Sequence, residues 1–513
     1  MSDSQVSPSL LPQNSRCPAR LLLAGILFIF FALGLGIRLF DLTDPPFDFH
    51  PTRQFRMALI TRGIYSKISD DFDAQTRAKA VSFASTMGQY EPPILETLVA
   101  YTYRLAGGEY LWISRIYTSL FWLVGGGALF ALARRMTSTR GGLVALAFFL
   151  FLPFGVFASR SFQPDPGMVM WIILSAFVFY RWAETKEWKW AILTGVFCGL
   201  AVLVKVVAGY LIVAMAVTIV LFVIGLRRSF KQPQVWSMVI LMSAPAVAYY
   251  LFGLEARSSE YFSNWSLALV HVIMTPGFYI QWFNHIQTLM GGAWVLYLGL
   301  VGVVIAKPLP RAMLTGLWVG YAIYGLTLPY QITTHSYYSL QLVPLVALSL
   351  APVADLLLGQ IWKQRSIWRI LAVGVALVAV IFNLWQAYSV LDNQNYRQIP
   401  ASWSEIAKNL PPDGKIIALT QDYGYPLMYY GWRKVALWQS LGEENLASLR
   451  GKADRDFMAE FKQRTSGKDY FLVTDFEQLA EQSDLKKFLI EKYPIFSQGE
   501  GFILYDLTRL LRD

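Results

Sequence analysis

Long apolar runs dominate the first 390 residues, separated for the most part by short polar breaks. They fall at about 21–40, 112–133, 141–158, 166–182, 190–206, 208–226, 235–254, 291–306, 312–330, 337–358 and 368–389. About 20 apolar residues are what a helix needs to cross a bilayer core. The pattern therefore predicts a mainly α, polytopic membrane protein of about 11 transmembrane helices. The run Leu21–Phe40 is too long for a signal-peptide core and no small-residue cleavage site follows it, so it is expected to be a retained span. A further stretch, "PPILETLVAYTYRLAGG" from Pro92, is short and carries Glu96 and Arg104. It is expected to lie along the membrane surface as an external juxtamembrane helix.

Basic residues decide the direction of the spans. With the Pro92 helix lying flat, every second loop is basic: Arg16 and Arg20; Arg134, Arg135 and Arg140; Arg181, Lys186 and Lys189; Arg227, Arg228 and Lys231; Lys307 and Arg311; Lys363, Arg365 and Arg369. These loops are expected to be cytoplasmic. The segments 41–111, 159–165, the break at 206/207, 255–290, 331–336 and everything after 390 then face outward, and 41–111 is the first external loop.

Beyond residue 390 the pattern changes to short alternating strands and amphipathic helices. "GKIIALT", "DYFLVTD" and "GFILYDL" read as strands, and "SWSEIAKNL" and "SDLKKFLIEKY" as helices. Residues 1–390 and 391–513 are thus expected to form a membrane domain and a small external α/β domain. The charge divides at the same place, with 28 Lys+Arg against 16 Asp+Glu before residue 391 and 16 against 18 after it. The excess positive charge belongs to the membrane part, where it sets topology, and gives no reason to expect nucleic acid. The C-terminal part carries no chemical motif and reads as a packing appendage, with acceptor binding or a lid as alternatives. The two cysteines, Cys17 and Cys198, allow no disulfide framework, and the four histidines are too scattered to assert a metal site. No cofactor or obligatory metal is expected.

The outward segments hold the polar residues that topology does not explain. Asp48 stands just before an expected helix, because Pro51 suits a first turn and Phe55, Leu59 and Gly63 recur on one face. Arg53 and Gln54 occupy that first turn, where free N–H groups favour an anion such as phosphate. Asp44 and His50 flank them. Asp165, in "QPDP", begins the span at 166 and suits a helix cap as well as a second carboxylate. Arg160 lies in the same loop. Lys205 sits between two apolar runs with no basic neighbour, and an intramembrane lysine calls for a role. His335, Tyr337 and Tyr338 open the span at 337, and Glu91 opens the Pro92 helix. His271 and His285 have no assigned role.

These residues resemble those of the GT-C superfamily of integral-membrane glycosyltransferases, within the family containing protein O-mannosyltransferases and the bacterial lipid A aminoarabinose transferase. The points of likeness are the first-loop "PFDFHPTRQ", the following "YEPPILETLVAYTYRLAGG" and "QPDP" at the start of the fourth span, over about residues 20–360. The resemblance implies transfer of a sugar from a polyprenyl-phosphate donor to a lipid, glycan or protein hydroxyl at the external face of a bacterial inner membrane. It implies Asp48 as the catalytic base, with Asp44 as the alternative, since the Pro-Asp-Glu triplet that many relatives carry corresponds to Pro51-Thr52-Arg53 here. Arg53, Lys205, Arg160 and His335 are then expected at the donor phosphate, with His50, Gln54, Glu91, Asp165, Tyr337 and Tyr338 around them. A lipid-linked oligosaccharide ligase or polymerase, and a transporter or flippase, remain alternative readings; the absence of an internal repeat disfavours the latter.

Overall fold

The computed structural model describes residues 16–88, 90–252, 263–451 and 456–511, with the side chains of 16–19 and 250–252 left aside. Cys17 therefore lies outside the described side chains. The apolar runs fall on helical backbone where they are described, apart from short breaks such as those at Leu152 and Lys205. The protein is a multi-pass membrane protein. Among the described residues, five helices are each long and apolar enough to cross a bilayer, including α1 (Arg16–Leu39), α5 (Trp112–Met136) and α8 (Asp165–Thr185). The run at 141–158 is a bent span: α6 (Thr139–Phe151) and α7 (Pro153–Ser159) meet at 59°. Pro153 accounts for the break, since its ring cannot donate to the preceding turn.

Between α1 and α5 the chain folds into three shorter helices, α2 (Pro51–Ile68), α3 (Ala74–Thr86) and α4 (Ile94–Ala106). Pro51 opens α2 as expected, and Phe55 and Leu59 on its inner face are fully buried. Gly63 completes that face because a Cβ there would stand 2.3 Å from the Cβ of Ala84 on α3. At 13 residues α4 spans only about 20 Å, short of a bilayer core. It buries Leu95, Val99 and Tyr103 while exposing Tyr101 and Leu105, the amphipathic character expected of a surface helix.

Two runs close to the functional region are interrupted at Lys205. Helix α9 (Trp188–Val204) ends there, the Lys205 backbone is extended, and α10 begins at Ala208 and runs to Val223. The stretch 255–290, expected as an outward loop, is helical where described: a 3₁₀ helix at Leu267–Met274 and an α-helix at Pro276–Met290, with the two arms bent by 107°. Its apolar composition was masked in the sequence by His271, His285 and the break at Thr275-Pro276.

The C-terminal residues form a five-stranded sheet of order β2-β1-β3-β5-β4, with β1 (Ile416–Leu419), β2 (Ala436–Leu437), β3 (Tyr470–Val473), β4 (Ile495–Gly499) and β5 (Phe502–Asp506). Strands β1, β2 and β3 are parallel, and β5 runs antiparallel to both β3 and β4. Phe471, Leu472 and Val473 are fully buried at its centre. This sheet is tied to the juxtamembrane helices by packing as well as charge. Met428 and Tyr429 join the apolar cluster around Phe55, Tyr65 and Tyr103. The Arg62 guanidinium stacks 3.7 Å from the Tyr429 ring and donates to Glu109 at 2.9 Å, while the Tyr429 hydroxyl donates to the same carboxylate at 3.0 Å.

Candidate active site

Helix α2 presents the first part of the site. His50 caps it with a left-handed backbone (φ 48°, ψ 68°), a conformation that a non-glycine residue adopts at an energetic cost. Its Nε2 lies 2.9 Å from the Ser336 hydroxyl, and its ring stacks over His335 with centroids 6.1 Å apart. In the first turn of α2, the Arg53 guanidinium lies 3.5 Å from Glu91 and 5.3 Å from the centre of the Tyr337 ring. Arg56 approaches the same Glu91 carboxylate at 4.0 Å.

Lys205 comes from the break between α9 and α10. A helix end inside the apolar region frees the side chain to reach sideways, and its Nζ sits 2.7 Å from Asp165 Oδ1 at the start of α8. The rings of Tyr337 and Tyr338 lie 5.2 and 5.1 Å from the same ammonium. Both partners are almost wholly buried, where an ion pair persists only if each charge is compensated.

His50, Arg53, Glu91, Lys205, His335, Tyr337 and Tyr338 border one cavity of about 1270 Å³. Its polar end is formed by His50, Arg53, Glu91, Lys205 and His335 together with Tyr337 and Tyr338. From there an apolar trough continues along Val206, Val213 and Val217 on one side and Val319 and Ile323 of the helix Pro308–Thr327 on the other. Burial and the proximity of His335, Arg53 and His285 push the His50 pKa down to about 4. Burial, Arg53 and His285 do the same to His335, also to about 4. Both rings are neutral at physiological pH. Burial opposes ionisation of Glu91, but Arg53, Lys205 and Arg56 outweigh it and hold the carboxyl below its ordinary value. The polar end thus combines cations, one carboxylate among its described lining residues, and two neutral imidazoles.

Five expected site residues stand behind this wall instead of on it. Asp48 is buried in ion pairs, 3.0 Å from Arg115 Nη2 and 3.9 Å from Arg160 Nε, and accepts from Gln54 at 3.2 Å. It does not border the cavity. The reason is Arg115, four residues into α5, which draws the carboxylate inward. Arg160 is 1% exposed and donates to the Asp41 carbonyl at 3.1 Å, so it neutralises Asp48 and offers nothing to the cavity. Gln54 bridges the Phe49 and Pro46 carbonyls, at 2.8 and 3.2 Å, to the Phe162 amide at 2.8 Å, fixing the 46–49 turn against the 159–165 loop. Asp44 accepts from the Tyr396 amide at 3.0 Å and pairs with Arg397 at 3.6 Å, joining the first loop to the chain beyond the last long helix. Asp165 serves as the counter-ion of Lys205.

The cavity also holds residues that the sequence did not single out. Thr52, Tyr90, Trp265, Gln331 and Tyr423 border it. Arg115 carried a readable signal, an arginine inside an apolar run. Tyr423 did not, since only the folding of the C-terminal sheet brings it beside residues some 370 positions earlier.

A family model described as dolichyl-phosphate-mannose-protein mannosyltransferase matches residues 90–252, the segment that carries Glu91, Asp165 and Lys205. Comparison of the sequence with curated proteins finds no match. Among solved structures, the chain superposes on archaeal oligosaccharyltransferase AglB from Archaeoglobus fulgidus, solved with an inhibitory peptide and a dolichol-phosphate. The TM-score is 0.55 at 12% identity, covering 95% of this chain and 74% of that one. It superposes on ArnT from Cupriavidus metallidurans in the apo state with a TM-score of 0.50 at 16% identity, covering 94% and 98%. Arabinofuranosyltransferase AftD from Mycobacteria gives 0.51 at 13% identity over 94% of this chain and 40% of its own. The fold is GT-C-like. Within this GT-C-like fold the cavity lies among α2, α10, the segment before α4 and the turn after β1.

Proposed function

We propose that the protein is a membrane glycosyltransferase that moves a sugar from a polyprenyl-phosphate donor to an acceptor hydroxyl on a lipid, glycan or protein, at the external face of the membrane. One observation carries this reading: Arg53 and Lys205 stand at the polar end of a long apolar trough. Paired cations suit a phosphate, and an adjoining trough lined by valine and isoleucine suits the isoprenoid tail attached to it. The dolichol-phosphate reported with AglB is a ligand of this chemistry.

The reaction follows from the residues at that end. The acceptor oxygen attacks the anomeric carbon as the bond from that carbon to the phosphate oxygen breaks. The acceptor proton passes to Glu91, the lining carboxylate, which its arginine partners keep ionised. General-base help of this kind supplies about 10²- to 10⁴-fold. The departing phosphate gains negative charge beside Arg53 and Lys205, cations already in place. Neutral His50 and His335 donate or accept hydrogen bonds without adding charge that would trap the product. Asp48 acts as a positioning residue, since it holds Arg115, Arg160 and Gln54 behind the turn that carries His50.

Equilibrium binding of labelled polyprenyl phosphate to the full-length protein tests the reading. Saturable binding to the wild type, lost in the Arg53→Ala, Lys205→Met double variant, is expected. Equal binding by the variant overturns it.

A further inference from the structure

The C-terminal sheet contributes to the cavity at one point with unusual backbone geometry. After β1 the chain passes through Asp422 (φ 50°, ψ 36°), Tyr423 (φ 57°, ψ 23°) and Gly424 (φ 68°, ψ 13°), three left-handed residues in succession. Glycine takes this conformation freely, whereas Asp and Tyr do so only when neighbours hold them there. The holding contacts are present. The Thr52 hydroxyl on α2 donates to Asp422 Oδ1 at 2.7 Å. Gln421 donates to the Thr474 carbonyl at 2.9 Å, and the Thr474 hydroxyl donates to Gln421 Oε1 at 2.9 Å and is hydrogen-bonded to the Thr420 hydroxyl at 2.8 Å.

The result is that Tyr423 borders the same cavity as Arg53, Glu91 and Lys205 while remaining 47% exposed. An exposed tyrosine in a constrained turn contributes little to the core. The turn also lies at the carboxyl ends of the parallel strands β1 and β3, the edge where open α/β sheets present ligand-binding residues. Tyr90 and Trp265 border the cavity as well, giving an aromatic composition that suits the C–H face of a sugar ring.

Resting on the glycosyltransferase reading, we propose that Tyr423 is an acceptor-binding residue, stacking its ring on a sugar unit of a carbohydrate acceptor. The C-terminal sheet then sets acceptor specificity while the membrane helices hold the donor.

The test uses full-length protein in nanodiscs and two probes. A panel of fluorescent mannose-, glucose-, galactose- and arabinose-containing oligosaccharides reports the acceptor side, and labelled polyprenyl phosphate reports the donor side. At least one oligosaccharide is expected to bind the wild type, to bind Tyr423→Ala about threefold to tenfold more weakly, and to regain wild-type affinity in Tyr423→Phe. Thr52→Val, which removes the hydroxyl that holds Asp422, is expected to weaken it in the same direction. Polyprenyl phosphate affinity is expected to be equal in wild type and Tyr423→Ala, which also reports that the variant is folded. No oligosaccharide binding by the wild type, or binding that Tyr423→Ala leaves unchanged, overturns the inference while the donor reading stands on its own probe. Loss of polyprenyl phosphate binding in the wild type overturns the underlying reading and this inference with it.

Discussion

Lys205 and Asp165, forty residues apart in the chain, meet at 2.7 Å at the edge of the cavity, with side chains 5% and 2% exposed. Removing one member of a buried pair leaves the other without compensation, at a cost of about 3–5 kcal/mol. Asp165→Asn is therefore expected to lower the thermal midpoint sharply. The Asp165→Asn, Lys205→Met double variant should recover much of that loss but bind polyprenyl phosphate no better than Lys205→Met alone. Thermal unfolding and lipid binding measured across the four proteins check both statements.

Glu91 and Asp48 are expected to differ in turnover per folded molecule. Glu91→Gln keeps the shape of a cavity residue and removes its proton acceptor, so turnover per folded molecule should fall by about 10²- to 10⁴-fold, with a loss of stability as well because Arg53 and Arg56 lose their carboxylate partner. Asp48→Asn leaves Arg115 and Arg160 facing one another without the shared carboxylate. It should unfold at lower temperature, with turnover per folded molecule falling by less than that of Glu91→Gln. Measuring turnover and unfolding on the same samples separates the two, and a larger catalytic loss in Asp48→Asn would return the role of base to Asp48.

The pH dependence follows from the two histidines. Each has a pKa pushed down to about 4 in the folded protein, against about 6.5 in an unfolded chain. Between these values the unfolded state binds more protons, so stability rises with pH across this window. Their contribution is fully present above about pH 6.5 and is lost as the pH falls towards 4. Unfolding midpoints recorded from pH 8 to 4 should show this slope, and His50→Asn should reduce it.

Topology makes a separate prediction. A reporter fused after residue 390 should read as external, and one fused at Arg228, in a basic loop, as cytoplasmic. A cytoplasmic signal from the first would place the C-terminal sheet on the wrong side for the proposed reaction.

The sequence made the membrane helices legible because burial in lipid demands long apolar runs, and each such run imposes its own signal. The strands β1, β3 and β5 were equally plain, being short, β-branched or aromatic, and bounded by polar residues. The edge strand β2, two residues long, and the irregular β4 had no such pattern. Lys205 and the Arg53 turn stood out because charge beside apolar runs is costly. What the sequence could not show is which face of the 45–54 turn each residue takes. Asp48 and His50 lie two positions apart, yet Arg115 and Arg160 hold the first inward while the second borders the cavity. That choice is made by side chains from α5 and the 159–165 loop, far away in sequence. Tyr423 was invisible for the same reason.

The most direct measurement is release of polyprenyl phosphate from a radiolabelled polyprenyl-phosphate sugar by the full-length protein in lipid vesicles, wild type beside Lys205→Met. Release by the wild type, reduced at least a hundredfold in the folded variant, is the predicted result. Equal release by the two proteins, or none by the wild type across mannosyl, glucosyl and arabinosyl donors, would contradict it.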